Sequence, residues 1–440
     1  MQSIESRLPN RPISNPGRRN DILLLIFSGL GVIGLCVRGA YLATTAIIYF
    51  DPAYGVNLAS SMLDAYAMLF CACLLLPVVI YTIRRLKENE ILPAVIQPIK
   101  FWQGLAIMGI WVLVVIIGTV IASLFIYGWV LAAPLFLLGI SLPIILLVWI
   151  GAGGMPVGSR RRIWSVFGYG MVGGTITALL LEYLLIAGAV VIVGFLASVN
   201  PELRTVVDQI KTQVANANSS DLQALLTILA PYLTNPLVIV TILIFAAVLA
   251  PLIEEASKPA IIWFLGKRLH SPAEGFALGA LCGAGFAMLE GLMSMSGATQ
   301  MWGFGLAGRF ASSLMHITGS GLMGWAIVSY RLEKSYKRLV LTYILSVCIH
   351  GVWNGSAILT VFGALRTMGQ NTQVDLLGMV LMLGGVGMLI LELVLMLIAL
   401  PVINRRLRLA FLPAQVQSDI IAPLVTIHPR KNDGLDTSNN

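Results

Sequence analysis

The sequence predicts an all-α, polytopic transmembrane helix bundle of about ten spans, and three observations carry that prediction. Of 440 residues, 58% are hydrophobic and only 11% are charged, with a mean hydropathy of +0.89. The apolar residues come in long unbroken runs, and a run of roughly 18 or more reads as a helix crossing a bilayer. The Lys and Arg residues gather in the short links between those runs. In lipid every backbone N–H and C=O must be satisfied internally, which leaves helices or closed barrels, and these runs are too long for barrel strands.

The chain opens on a polar, Pro-rich segment, "MQSIESRLPNRPISNPGRRND", a tail over 1–21. The apolar run after it is longer than the apolar core of a signal peptide and lacks a small-residue cleavage site, so it reads as a retained anchor. Spans follow near 22–50, 56–83, 101–127, 130–152, 164–199, 236–265, 272–296, 304–330, 339–362 and 376–403. Basic clusters at Arg18/Arg19, "RRLK" from Arg84, "RRR" from Arg160, "GKR" ending at Arg268, "RLEKSYKR" from Arg331 and "RRLR" from Arg405 fall on alternate links. Cytoplasmic loops hold the Lys/Arg excess, so both termini are expected in the cytoplasm.

These spans divide into an N-terminal five-helix module over 22–199, a four-helix core over 236–362, and a last helix with its preceding loop over 363–403. The long loop over 200–235 places Val206, Ile210 and Val214, then Leu222, Leu225, Leu226 and Leu229, at helical spacing, as expected of amphipathic helices lying on the outer surface. The polar, Pro-containing segment 404–440 reads as a disordered cytoplasmic tail.

Two function classes drop out early. A net charge of +8 would suit a nucleic acid partner only if the basic residues shared one face, and they punctuate the loops instead. All five cysteines lie inside apolar runs, where they read as small packing residues, so no disulfide framework follows. The partner this composition implies is the lipid bilayer.

An ionisable residue inside a span marks function by default, because desolvating it is costly. Arg38, Asp64, Glu182 and Glu392 each stand alone in their spans. The rest concentrate in four consecutive spans, the sixth to the ninth. Glu254, Glu255 and Lys258 occur in "APLIEEASKP", and Glu290 ends "GAGFAMLE". Arg309 and His316 stand seven apart, and His350 and Asn354 stand at i, i+4, so each pair shares a helix face. At 1.5 Å per residue Glu255, Glu290, His316, His350 and Asn354 lie between about 14 and 25 Å from the basic ends, one layer near the midplane. Glycines and serines around them allow the close helix approach that a shared polar site needs.

Lys258 is i+4 from Glu254 and i+3 from Glu255, within reach of either. One carboxylate is expected to hold Lys258 while the other faces the site as general base. Carboxylates, two imidazoles and a carboxamide around a buried cavity suit hydrolysis of an acyl bond by glutamate-activated water, with His and Asn donors, or a metal, stabilising the oxyanion. The expected catalytic set is Glu254, Glu255, Glu290, His316, His350 and Asn354, supported by Lys258 and Arg309. A zinc site can be assembled from His316, His350 and Glu290, three N/O ligands with a position left for water.

At these residues the chain resembles the PrsW family of intramembrane proteases, distant relatives of the CAAX prenyl endopeptidases and bacteriocin-immunity-type membrane proteases. "EEASK" is similar to the family's E-E-x-x-K, "FAMLE" to F-x-x-x-E, the Arg309 and His316 pair to its third motif, and "HGVWN" to its fourth. The resemblance covers roughly 236–362. It implies cleavage of a membrane-anchored protein in a bacterial membrane, the best-known case being an anti-sigma factor. Two other readings of the midplane Glu/His cluster compete: a proton- or ion-coupled transporter, and a non-catalytic membrane scaffold.

Overall fold

The computed structural model describes residues 16–48, 55–88, 93–124, 128–216, 236–265, 268–295, 302–368 and 375–411. In these the chain is an all-α bundle: α1 (Pro16–Ile48), α2 (Gly55–Glu88), α3 (Phe101–Leu124), α4 (Gly128–Ala152), α5 (Arg160–Gly168), α6 (Thr175–Val199), α7 (Pro201–Asn216), α8 (Pro236–Ile244), α9 (Ala250–Ser257), α10 (Ala260–Leu265), α11 (Pro272–Met295), α12 (Trp302–Glu333), α13 (Tyr336–Met368) and α14 (Leu376–Phe411). Two π-helical segments, Tyr169–Gly174 and Phe245–Leu249, join α5 to α6 and α8 to α9 without a break in direction. Among the described residues the only strands, β1 (Pro93–Val95) and β2 (Pro156–Ser159), pair antiparallel, Pro93 facing Ser159.

Nine helical stretches among the described residues are long and apolar enough to cross a membrane. The chain is a multi-pass membrane protein. The expected eighth span, α12, is not among those nine. It is 32 residues long but carries Arg309, His316 and many glycines and serines, which lower its hydropathy. Protein rather than lipid surrounds it: Ala311 to Gly321 is buried without interruption.

Alternation of lipid-facing and protein-facing helices sets the architecture. α1, α3, α6 and α14 present large apolar side chains outward, such as Phe27, Trp102, Val191 and Leu376. α11 and α12 form an antiparallel pair at the centre, held by glycine instead of interlocking side chains. A Cβ on Gly275, Gly279 or Gly283 would lie 2.5, 2.1 or 2.2 Å from the backbone carbonyl of Gly324, Ser320 or His316. Three glycines at spacing four thus bring two backbones into direct contact, as small residues do in membranes. The opposite face of α11 meets α5 and its π segment in the same way, with Gly285 against the Phe167 carbonyl and Gly170 against the Cys282 carbonyl.

At the Arg-rich ends, side-chain pairs lock the helices together. Asp21 of α1 accepts from Arg85 of α2 at 3.0 Å and from Arg161 of α5 at 2.5 Å. Glu274 of α11 pairs with Arg162 of α5 and caps the His270 N–H at 2.9 Å. Asn404, well inside α14, donates to the Gly151 and Gly153 carbonyls at 2.8 and 3.0 Å, closing α14 onto the end of α4. The helix therefore continues past residue 403 and ends at Phe411.

The loop helix expected from Val206, Ile210 and Val214 is α7, an amphipathic helix with acidic Glu202 in its first turn. The second half of that expectation, Leu222 to Leu229, lies outside the described residues, as do residues 1–15 and 412–440.

Candidate active site

Of the ionisable side chains that the sequence singles out on the sixth to ninth spans, Glu254, Glu255, His316 and His350 gather around Lys258, and Glu290 joins them only through His316. Local backbone chemistry explains how. In the π segment Phe245–Leu249 a carbonyl expects its donor five residues on, so the Ala246 carbonyl points at residue 251. Residue 251 is proline and has no N–H. The Asn354 amide of α13 supplies the missing donor, to the Ala246 carbonyl at 2.8 Å. Gly351, one turn earlier, lets α13 approach until its absent Cβ would lie 2.2 Å from the Ala247 carbonyl. Tyr343 donates to the Leu252 carbonyl at 2.7 Å. Pro259 then ends α9, leaving Lys258 in the turn. The start of α9 is thus pinned to α13, and its next turn carries Glu254 and Glu255.

Lys258 Nζ sits 2.8 Å from Glu255 Oε1, 2.9 Å from Glu254 Oε2 and 2.8 Å from His316 Nδ1, with His350 Nδ1 at 3.4 Å. It also lies 4.3 Å from the centre of the Phe286 ring, whose face attracts a cation. The expected division between the two glutamates does not appear, because Lys258 touches both. Burial separates them instead. The Glu255 side chain is fully buried, whereas Glu254 is 15% exposed and forms the rim.

The ring nitrogens can be assigned from their neighbours. An ammonium only donates, so His316 Nδ1 accepts and the ring proton is on Nε2. His316 Nε2 faces Glu290 Oε2 at 2.7 Å. Arg309 holds the other oxygen of Glu290 at 3.0 Å. His350 Nδ1 lies 3.0 Å from Glu255 Oε1, nearer than the 3.4 Å to Lys258 Nζ, and a carboxylate only accepts, so Nδ1 carries the proton and Nε2 keeps its lone pair. That lone pair faces the rim, where Nε2 is 3.8 Å from Glu254 Oε2. The two imidazoles stand nearly perpendicular, their centres 5.1 Å apart.

Glu254, His316 and His350 each offer one donor atom within 4.8 Å of the others, a group able to hold a metal ion and the one such trio among the described residues. It differs from the trio expected from sequence by one member. Glu290 stands behind His316, on the far ring nitrogen, and Glu254 takes its place at the cluster. Glu255 stands behind His350 in the same manner. A carboxylate behind each imidazole fixes the tautomer and orientation that a metal-binding histidine requires.

Two polar side chains have other positions than sequence reasoning suggests. The Asn354 amide is committed to the π segment and not aimed at the cluster. Glu182 of α6, alone in its apolar run, lies close enough to Glu254, Lys258 and Glu290 to feel their charges, and its Oε1 is buried without a hydrogen-bond partner. The only signal for it in the sequence is an acid in a lipid-facing helix. Glu392, buried on α14, also leaves both oxygens without a hydrogen bond, and nothing in the structure explains it.

Glu255 Oε2 is the oxygen with chemistry left to do. It is buried, has no hydrogen-bond partner, and faces the space left by Gly319, where a Cβ would stand 3.1 Å away. A buried acceptor without a partner is costly, and a water is the simplest partner for it.

None of the curated proteins and none of the solved structures matches the chain. Residues 158–389, from β2 into α14 and including every residue of the cluster, match the family described as PrsW family intramembrane metalloprotease. On that match, over more than half of its length, the chain belongs to the PrsW family and is an intramembrane protease.

Proposed function

We propose that the chain hydrolyses a peptide bond of a membrane-anchored protein, with Glu255 as the proton acceptor and Glu254, His316 and His350 as the residues that hold a zinc ion. The observation that carries this reading is the convergence of two carboxylates and two carboxylate-backed imidazoles around one buried point. Glu255 Oε2, free of protein partners, accepts the proton of a water as its oxygen bonds to the scissile carbonyl carbon. The same oxygen returns the proton to the amide nitrogen as the C–N bond breaks. His350, held through Nδ1 by Glu255, and His316, backed by Glu290, keep their second nitrogens turned to the reacting side. When bound, the metal polarises the carbonyl and acidifies the water. Arg309 keeps Glu290 behind His316, and Asn354 keeps the π segment, and so α9, in register.

The substrate enters from the rim, where Glu254 reaches the surface. A signalling protein such as an anti-sigma factor suits the sequence resemblance, with the 236–362 helices as the catalytic core and both termini in the cytoplasm. The test is co-expression with a single-pass reporter substrate in membranes. Wild type should release a fragment, and Glu254→Ala, Glu255→Ala and His350→Ala at equal expression should release at least about 100-fold less, the usual contribution of a general acid–base group. Undiminished cleavage by Glu255→Ala would remove it as the base.

A further inference from the structure

The position at the centre of the cluster is already held by a cation. Lys258 Nζ lies in contact with Glu254 Oε2 at 2.9 Å and His316 Nδ1 at 2.8 Å, two of the three donor groups that can hold a metal. A zinc ligand bond is about 2.0–2.2 Å long, so a metal bound to those atoms would overlap the ammonium. One lone pair on His316 Nδ1 cannot serve both. The two cations also repel each other at contact distance in a medium that screens charge weakly.

We propose that Lys258 and a divalent metal ion are alternative occupants of one position, the ammonium holding the donors together until a metal displaces it. The inference rests on the assignment of Glu254, His316 and His350 as the metal-binding group. A displaced ammonium keeps two of its present partners. Lys258 keeps Glu255 Oε1 at 2.8 Å as its counter-ion, and the Phe286 ring offers a cation-attracting face 4.3 Å from Nζ. A turn of the side chain that keeps these two contacts and gives up the others frees His316 Nδ1 and Glu254 Oε2 together. It leaves the His350 Nδ1 contact with Glu255 in place, so Nε2 stays turned toward the rim. Without either cation, Glu254 and Glu255 would face each other as uncompensated charges. The lysine therefore stabilises the cluster in its metal-free form at the expense of metal affinity.

The experiment measures metal uptake on the full-length protein in detergent, using Co²⁺ as the probe. Bound metal is counted by mass spectrometry after dialysis, and ligation is read from the visible absorption of the ion. Lys258→Met should bind one Co²⁺ at least about tenfold more tightly than wild type, since it loses a like charge at contact distance. His316→Ala in the same background should abolish the gain. Should Lys258→Met fail to fold, the double variant Lys258→Met/Glu255→Gln removes one charge of each sign and keeps all three donors, and the same comparison applies. Equal Co²⁺ affinity in wild type and the lysine variants would overturn the shared position while leaving the metal-binding group intact. No Co²⁺ bound by any of them would overturn both, and loss of cleavage in Glu255→Ala would then still identify the base.

Discussion

α6 and α11 are both apolar helices of similar length, and they solve the same problem in opposite ways. α6 faces outward along most of its length, and its Gly188 and Gly194 have no atom near the place a Cβ would take. α11 is buried nearly throughout, and its glycines at 275, 279 and 283 lie against the backbone of α12. Apolar side chains suffice for a helix in lipid, because the tails are as apolar as the side chains. A helix that must hold His316 opposite Lys258 needs an exact separation from its neighbour, and contact between backbones fixes that separation better than flexible side chains. Polar residues follow the same division: the clustered ones sit where protein encloses them, and the lone acid of α6 is the one whose face turns toward the cluster.

This contrast can be broken most severely at the central pair. Gly283→Ala adds one methyl 2.2 Å from the His316 carbonyl and should destabilise the protein by roughly 1–3 kcal/mol, with a matching loss of cleavage as His316 shifts. Gly188→Ala on α6 adds the same methyl into open space and should be neutral or stabilising, by up to about 1 kcal/mol. Thermal melts of the purified variants, read beside reporter cleavage, decide it. Equal effects at the two glycines would remove the distinction.

An effect of similar size is expected where α13 meets the π segment. Asn354→Leu leaves the Ala246 carbonyl without a donor and should cost about 1–3 kcal/mol. If Asn354 acts only by positioning α9, its loss lowers kcat with little change in the pH profile. A direct part in proton transfer would shift the profile, so the pH dependence of cleavage separates the two.

The smallest effect is expected at the exposed start of α14, where Asp375 accepts from the Gly378 N–H at 3.1 Å and pairs with Arg366 at 2.7 Å. The Gly378 N–H, with Arg366 beside it, holds the Asp375 carboxyl below the ordinary aspartate value. A depressed carboxyl stabilises the fold above the ordinary value and loses that contribution as pH falls through its folded value. Asp375→Asn should therefore narrow the difference in melting temperature between neutral and acid pH slightly, while leaving the site variants' behaviour unchanged. An unaltered difference would show that the cap adds nothing measurable.

Much of the candidate site is legible in the sequence. Glu254, Glu255, Lys258, His316 and His350 stood out because an ionisable group in an apolar run is rare, and rarity survives without knowledge of packing. Which atoms touch did not follow. Spacing along α9 allowed Lys258 to reach either glutamate, and only the placement of α12 and α13 shows it reaching both, with His316 as a third partner. The sequence offers Glu290 as a ligand, but its direction, behind His316 and toward Arg309, depends on the rotation of α11. Asn354 shared a helix face with His350, yet the π segment and Pro251 together claim its amide.

By itself the sequence determined that the chain crosses the membrane many times, where most spans lie, and which side chains are too costly to bury without purpose. Those are properties of hydropathy and desolvation, and both are carried residue by residue. The tertiary structure alone decided which donors share a point in space, which imidazole nitrogen faces inward, and that a lysine stands where a metal would bind. These depend on the rotation and separation of helices, set by backbone contact at glycines far apart in the chain, and no local pattern encodes them.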